Sequence, residues 1–385
     1  MLSRQGWAML GATVATFVVA RLFGLLELYV VGTAIAAMLV FAMARTLRPL
    51  PALSVRRVAR PAMVSVGESA RMELHLSNDS HRSTPRLRLW EPVGDSGGAP
   101  MQLAPLPGGA TVSVAYRVPS LRRGVVLVGP LDAERSDLLG LSTRRHVLAG
   151  TAEVLVVPER VPLAFPGLSS SGRLGEHLRM KSWGQTGSEF HSQREYVPGD
   201  DLRRVNWKTS ARLGELIVRE TAVEGIRRCT VVLDTDRHAH PDADSFERAV
   251  VAAASIVTGA AAEGIATRLV APSIDLRGPD VARESLRMLA TAEVGDEVAD
   301  HNAGGRTSVD GLGLVVVCTG HADSACATAT RHAAGPDDTV IVVRCADLDG
   351  SVAGNGGPFE IEATSLDSLQ RGWNRLVLGT AAVPT

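Results

Sequence analysis

From Trp7 to Ala44 the chain is apolar except for a break around Arg21–Glu27, where Gly24 also lies. Such a stretch belongs in lipid, where helices satisfy their own backbone polar groups. Two short membrane helices are expected, about Trp7–Ala20 and Leu28–Ala44, joined by a tight turn. Each is shorter than the roughly 20 residues that a spanning helix needs, which sets the turn at the far interface. Arg21 can snorkel there, and Tyr29 suits the same boundary. A cleaved signal peptide fits less well, because the second apolar run follows at once without a small-x-small cleavage site. A re-entrant or interfacial hairpin is the other alternative. Arg4 precedes the hairpin and Arg45, Arg48, Arg56, Arg57 and Arg60 follow it, so the positive-inside rule keeps both ends in the cytoplasm. The expectation is a plasma-membrane protein with residues 1–45 as a transmembrane hairpin and its soluble domains cytoplasmic.

The formal net charge is −1, and the first 45 residues hold three arginines and one glutamate, so the remainder is mildly acidic. That balance excludes a dedicated nucleic-acid binder. The four cysteines, Cys229, Cys318, Cys326 and Cys345, match neither a zinc site nor a disulfide framework and are expected as buried free thiols.

Residues 46–160 are expected to form a β-sandwich-like domain. Met72, Leu74 and Leu76 alternate with Glu73, His75 and Ser77, the period of a half-buried strand, and Val112, Val114, Tyr116 and Val118 repeat it. Asn78-Asp79, Gly94 to Gly98 and Pro107-Gly108-Gly109 punctuate the runs as turns. No aromatic binding platform is evident, so a spacer or scaffold is the expected role.

Residues 229–385 alternate strands and helices, which predicts a doubly wound α/β domain with a mostly parallel sheet. Thr230–Leu233, Thr267–Val270, Leu314–Cys318 and Thr339–Val343 read as strands; helices are expected from Ser245 to about Ala262, over Val281–Ala290 and over Leu366–Leu376. The first strand runs into Asp234-Thr235-Asp236-Arg237-His238, placing carboxylates at the sheet edge where such folds bind ligands. His240, Asp242 and Asp244 read as a solvated polar loop. No G-x-x-x-x-G-K-[ST] loop occurs, so ATP hydrolysis by the chain itself is not expected.

Residues 161–228 link the two domains and carry the densest signal. The only lysines of the chain, Lys181 and Lys208, fall here, with Trp183, Phe190, Tyr196 and Trp207 between or beside them. Pro198-Gly199 is a turn signal, and Asp200 or Asp201 is expected to cap a short helix with Leu202, Val205, Trp207 and Ala211 on its apolar side. Gly214 is the expected stop, and Leu216 to Val218 a following strand. Glu195, Asp200 and Asp201 beside Arg194, Arg203, Arg204 and Arg212 predict ion pairing, which suits structure and binding better than acid catalysis.

The string R-E-Y-x-P-G-D-D-x-R-x-x-x-W-K-x-S-A-R closely resembles the signature of the bacterial family called domain of unknown function 58. It is met at Arg194, Glu195, Tyr196, Pro198, Gly199, Asp200, Arg203, Trp207, Lys208, Ser210, Ala211 and Arg212. Arg123-Gly124 through Gly129-Pro130, then Asp137 to Leu141, resembles the segment that precedes the signature in that family. The C-terminal domain resembles a von Willebrand factor A domain, whose metal pattern is Asp-x-Ser-x-Ser. Asp234 meets its first position, while Asp236 and His238 replace the two serines, which implies a degenerate metal site. No cofactor is expected; magnesium at Asp234 and Asp236 is the less favoured option, and Thr319, Gly320 and Asp323 lie in the later loop that could approach it.

The resemblance implies a MoxR-type AAA+ ATPase as partner. The expected function is a membrane-anchored scaffold or adaptor, not an enzyme, with Arg194, Glu195, Tyr196, Asp200, Arg203, Trp207 and Arg212 shaping a docking surface. One alternative is a metal-dependent hydrolase centred on Asp234 and Asp236. Another is a purely structural membrane protein whose signature only packs domains together.

Overall fold

The computed structural model describes residues 2–166, 170–182, 190–197, 202, 205–221, 226–272, 274–296, 312–347 and 359–379. The chain divides into two compact units, Met1–Val157 and Pro158–Thr385.

The first unit opens with α1 (Arg4–Phe23) and α2 (Leu26–Leu47), helices of 20 and 22 residues. Both are longer than the sequence pattern implies, and each is long and apolar enough to cross a membrane. The expected break around Arg21–Glu27 is only Gly24 and Leu25. Arg21 stands in the last turn of α1 and Glu27 in the first turn of α2. Those are the ends where the helix dipole favours a cation and an anion respectively, so neither charge interrupts its helix. Gly24 does, at φ 66°, its N–H donating to Ala20 O.

Ten strands follow: β1 (Leu53–Arg60), β2 (Met63–Ser65), β3 (Ser69–Asn78), β4 (Leu87–Pro92), β5 (Gly98–Leu103), β6 (Thr111–Pro119), β7 (Gly124–Val128), β8 (Leu131–Ser136), β9 (Thr143–Ala149) and β10 (Ala152–Val157). They form sheets ordered β1-β3-β6, β2-β10-β7 and β5-β4-β8-β9. The alternation read along β3 sets its inward residues in two cores. Met72 packs with Val64, Val118, Val128 and Val156, and Leu74 and Leu76 pack with Leu87, Leu89 and Leu131. One face of the β1-β3-β6 sheet is thus covered by the other two sheets. A buried Glu91 is held by Arg57 at 2.6 Å and by the Tyr116 hydroxyl at 2.6 Å.

The second unit contains α3 (Arg173–Ser182), β11 (Phe190–Glu195), α4 (Trp207–Leu213), β12 (Ile217–Thr221), β13 (Arg228–Leu233), α5 (Ala243–Ala262), β14 (Ala266–Ala271), β15 (Ile274–Arg277), α6 (Val281–Ala290), β16 (Gly313–Thr319), α7 (Ala325–Ala333), β17 (Asp338–Arg344), β18 (Glu360–Glu362) and α8 (Leu366–Leu378). The main sheet is ordered β15-β14-β13-β16-β17-β18 and is parallel except for β15. Every residue of β16 is buried, as a strand covered on both faces requires. Helix α5 is also apolar enough for a membrane by length and composition, yet most of it is buried within this unit. All four cysteines are buried and free. Burial pushes the Cys229, Cys326 and Cys345 thiols up to about 12, which keeps them protonated and unreactive. Lys181 docks the end of α3 onto the sheet, its Nζ donating to Asp338 O at 2.7 Å.

Candidate functional site

Two places in the second unit gather the sequence-predicted residues. The first is the carboxyl edge of the sheet between β13 and β16. From β13 the chain moves outward to β14 and β15, then returns to lay β16 on the other side. Such a reversal of strand order opens a crevice where doubly wound sheets bind ligands.

Asp234 leaves β13 at that point and is wholly buried. Its Oδ2 accepts from Thr319 Oγ1 at 2.8 Å and its Oδ1 from the Asp236 N–H at 3.1 Å. Its N–H donates to Cys318 O, tying the strand ends together. Asp236 is directed elsewhere: its Oδ1 accepts from His238 N at 2.9 Å and caps a short 3-10 turn. His238 is exposed. Gly320 lies where any side chain would overlap the Ala239 carbonyl, so the two loops close directly on each other.

His240, expected in a solvated loop, is buried instead. Its Nε2 lies 2.8 Å from the Asp234 carbonyl oxygen, an acceptor only, so Nε2 carries the proton. Nδ1 faces Ser245 Oγ at 3.4 Å, and the ring meets Phe246 edge-on. Burial lowers the imidazole from its ordinary 6.5 against the opposing pull of Asp234, so the ring is neutral. Ser245 carries no sequence signal for this contact. Asp242 caps α5, accepting from the Ser245 N–H, while Asp244 stays exposed.

A divalent cation at Asp234 and Asp236, the less favoured expectation from the sequence, does not fit these residues. Both carboxylate oxygens of Asp234 are engaged, Asp236 caps a turn, and the described residues contain no group of three His, Cys, Asp or Glu able to hold a metal. The arrangement is a hydrogen-bonded clip between the ends of two central strands.

The second place is the signature segment. Pro198, Gly199, Asp200 and Arg203 lie outside the described residues, as do Trp183, Asp201 and Arg204. Arg194 and Glu195 end β11, which pairs antiparallel with β12, setting Arg194 opposite Val218 and Glu195 opposite Ile217. Tyr196 N–H donates to Leu216 O at 2.8 Å, and the Arg194 guanidinium to Glu195 O at 3.0 Å.

Helix α4 starts later than expected. Asn206 caps it, accepting from the Thr209 N–H, while Val205 bridges to Val218 and is buried. Gly214 ends the helix at φ 76°, as expected. Ser210 is buried, and its Oγ accepts the Ile217 N–H at 2.9 Å, fastening the helix to β12. Lys208, Ala211 and Arg212 are exposed. So is Trp207, expected on the packed side but 64% exposed. Val197, Leu202, Leu213 and Leu216 are exposed on the same segment.

Residues 192–279 match the family described as "Protein of unknown function DUF58". No curated protein matches the chain. Among solved structures, the CARDB domain of a Pyrococcus furiosus protein, in complex with di-metal ions, is 17% identical with a TM-score of 0.23, covering 30% of this chain and 100% of that one. The Pseudomonas fluorescens alkylpurine DNA glycosylase AlkC, bound to DNA containing an abasic site analog, is 15% identical with a TM-score of 0.20, covering 30% of this chain and 33% of that one. A Listeria innocua beta-glucosidase is 15% identical with a TM-score of 0.17, covering 26% of this chain and 16% of that one. The chain therefore spans a third or less of the last two, and none of the three likenesses bears on its fold or function. The matched segment takes in the signature residues from Arg194 to Arg212 together with Asp234 and Asp236, so that over this stretch, and not over the rest of its length, the chain is similar to the DUF58 family.

Proposed function

We propose that the protein is a membrane-anchored scaffold that binds other proteins through its signature segment and works with a MoxR-type AAA+ ATPase in complex assembly or maturation. The observation that carries this reading is Trp207, 64% exposed on a short helix that Ser210 fastens to β12. Large aromatic side chains held rigidly at a surface are the usual energetic anchors of protein interfaces. Val197, Leu213 and Leu216 extend the apolar surface, and Lys208 and Arg212 supply a polar rim.

The second unit is read as von Willebrand factor A-like, supported by the doubly wound strand order and by Asp234 at the sheet's carboxyl edge. Its degenerate site serves folding. Arg4, Arg45 and Arg48 at the open end of the hairpin support a cytoplasmic orientation of the soluble part.

The test uses the full chain in lipid nanodiscs with a purified MoxR-type ATPase from the same organism, with and without a non-hydrolysable ATP analogue. Nucleotide-dependent binding by the native chain, lost in Trp207→Ala at an unchanged melting temperature, is the expected result. Equal binding by the two chains, or none by either, overturns the proposal.

A further inference from the structure

The turn between β8 and β9 is pinned to the open end of the helical hairpin, all within the first unit. Ser3 donates its N–H to Leu141 O at 2.9 Å and its hydroxyl to Gly140 O at 2.6 Å. Thr46 Oγ1 lies 2.7 Å from Ser142 Oγ, both residues buried. The Leu141 side chain packs on Leu39 and Ala42 of α2, with Met9 of α1 against the same cluster. Gly6 lies where any side chain would overlap the Leu141 carbonyl.

This contact has a depth. Met9 is five residues beyond Arg4 and Leu39 six before Arg45. At 1.5 Å per residue they lie about 7–9 Å along the helices from those arginines, toward the apolar middle. Leu141 therefore reaches the level where lipid chains begin.

The turn is also rigid. The Asp137 carboxylate accepts from the Leu139 N–H at 3.0 Å and the Ser142 N–H at 2.7 Å, and Gly140 takes φ 70°. What it presents is apolar: Leu138 is 90% exposed and Leu139 54%. Moving a leucine out of water is favourable in proportion to the apolar area covered, so such a tip favours lipid.

Cations gather beside it. Arg144 donates to the Leu47 carbonyl that ends α2 and Arg135 to that of the next residue, Arg48, each at 3.1 Å. Burial and then the nearby charges of Arg45 and Arg48 lower the Arg135 guanidinium, a mark of like charges held close. Arg45, Arg48 and Arg144 are exposed, whereas Glu134 pairs with Arg145.

We propose that the Asp137–Ser142 turn is a third membrane element, with Leu138 and Leu139 entering the leaflet at the open end of the hairpin and Arg45 and Arg48 binding anionic phospholipid headgroups. The inference rests on α1 and α2 crossing the membrane, and not on any protein partner.

The test places an environment-sensitive fluorophore at Leu138→Cys in the full chain, the native thiols being buried. The chain is reconstituted into phosphatidylcholine vesicles with and without phosphatidylglycerol, and quenching by spin-labelled lipid chains is read. Val14→Cys, within α1, reports the crossing itself. Leu121→Cys reports water: it is 78% exposed, beyond the Pro119 end of β6, which pairs with Ser69 at the opposite end of β3 from the residues facing Leu53. Severalfold stronger quenching at 138 than at 121, increased by phosphatidylglycerol and no longer increased in Arg45→Gln/Arg48→Gln, is expected. Equal quenching at 138 and 121 with strong quenching at 14 overturns the wedge alone. Weak quenching at 14 overturns the crossing on which it rests. Quenching at 138 that phosphatidylglycerol leaves unchanged overturns the headgroup site.

Discussion

The two places that drew attention in the sequence use their side chains in opposite ways. At the sheet edge, Asp234, Thr319 and His240 are buried and directed at one another, leaving little for a ligand. In the signature segment, Ser210 and Val205 are buried, whereas Trp207, Leu213 and Leu216 face solvent. A polar group satisfied internally stabilises a fold, whereas a large apolar group left in water is unfavourable until something covers it. The carboxylates look more like chemistry, yet the aromatic is better placed to act outside the chain.

The largest effect expected is at the sheet edge. Asp234→Ala leaves the buried Thr319 hydroxyl and Asp236 N–H without their carboxylate, at a cost of about 3 kcal/mol in denaturant unfolding. Unchanged stability would break the comparison by making Asp234 dispensable to the fold. Next comes the pH response of the same clip. His240 is held below its ordinary 6.5, so the unfolded chain binds the proton more readily. Its contribution to stability is therefore present above 6.5 and is lost as the pH falls below it. Unfolding curves measured across that window should show a shallower pH dependence in His240→Gln than in the native chain. Smaller still is Ser210→Ala, which leaves the buried Ile217 N–H unpaired at a cost of about 1 kcal/mol.

Much of the architecture was legible because it is periodic. The alternation through Met72, Leu74 and Leu76 became β3, and the apolar runs ending at Leu233 and Cys318 became neighbouring central strands. Gly214 was legible as a stop because the left-handed backbone there favours glycine. Other features were hidden because they depend on where chain ends and distant loops meet. Arg21 and Glu27 looked like a break until the dipoles of two separate helices gave each a favourable end. His240 is buried by a loop that closes on Gly320, far along the chain. Trp207 resembled a core residue because it is large and apolar, and residue type alone does not say which side chains of so short a helix face solvent.

The smallest stability change is expected at Trp207, and it sharpens the comparison most. Substitution of an exposed side chain usually alters stability by no more than about 0.5 kcal/mol, so Trp207→Ala should unfold with the native chain. Val205→Ala, two residues earlier and buried against Val218, should cost more, about 1 kcal/mol for the two methyl groups removed. The two variants differ in burial within one short segment, so denaturation of both separates packing from display. If Trp207→Ala destabilises as much as Val205→Ala, the indole is part of the fold and the signature packs the chain. If only Val205→Ala does, the indole is free for a partner, and binding by the stable Trp207→Ala chain measures its contribution directly.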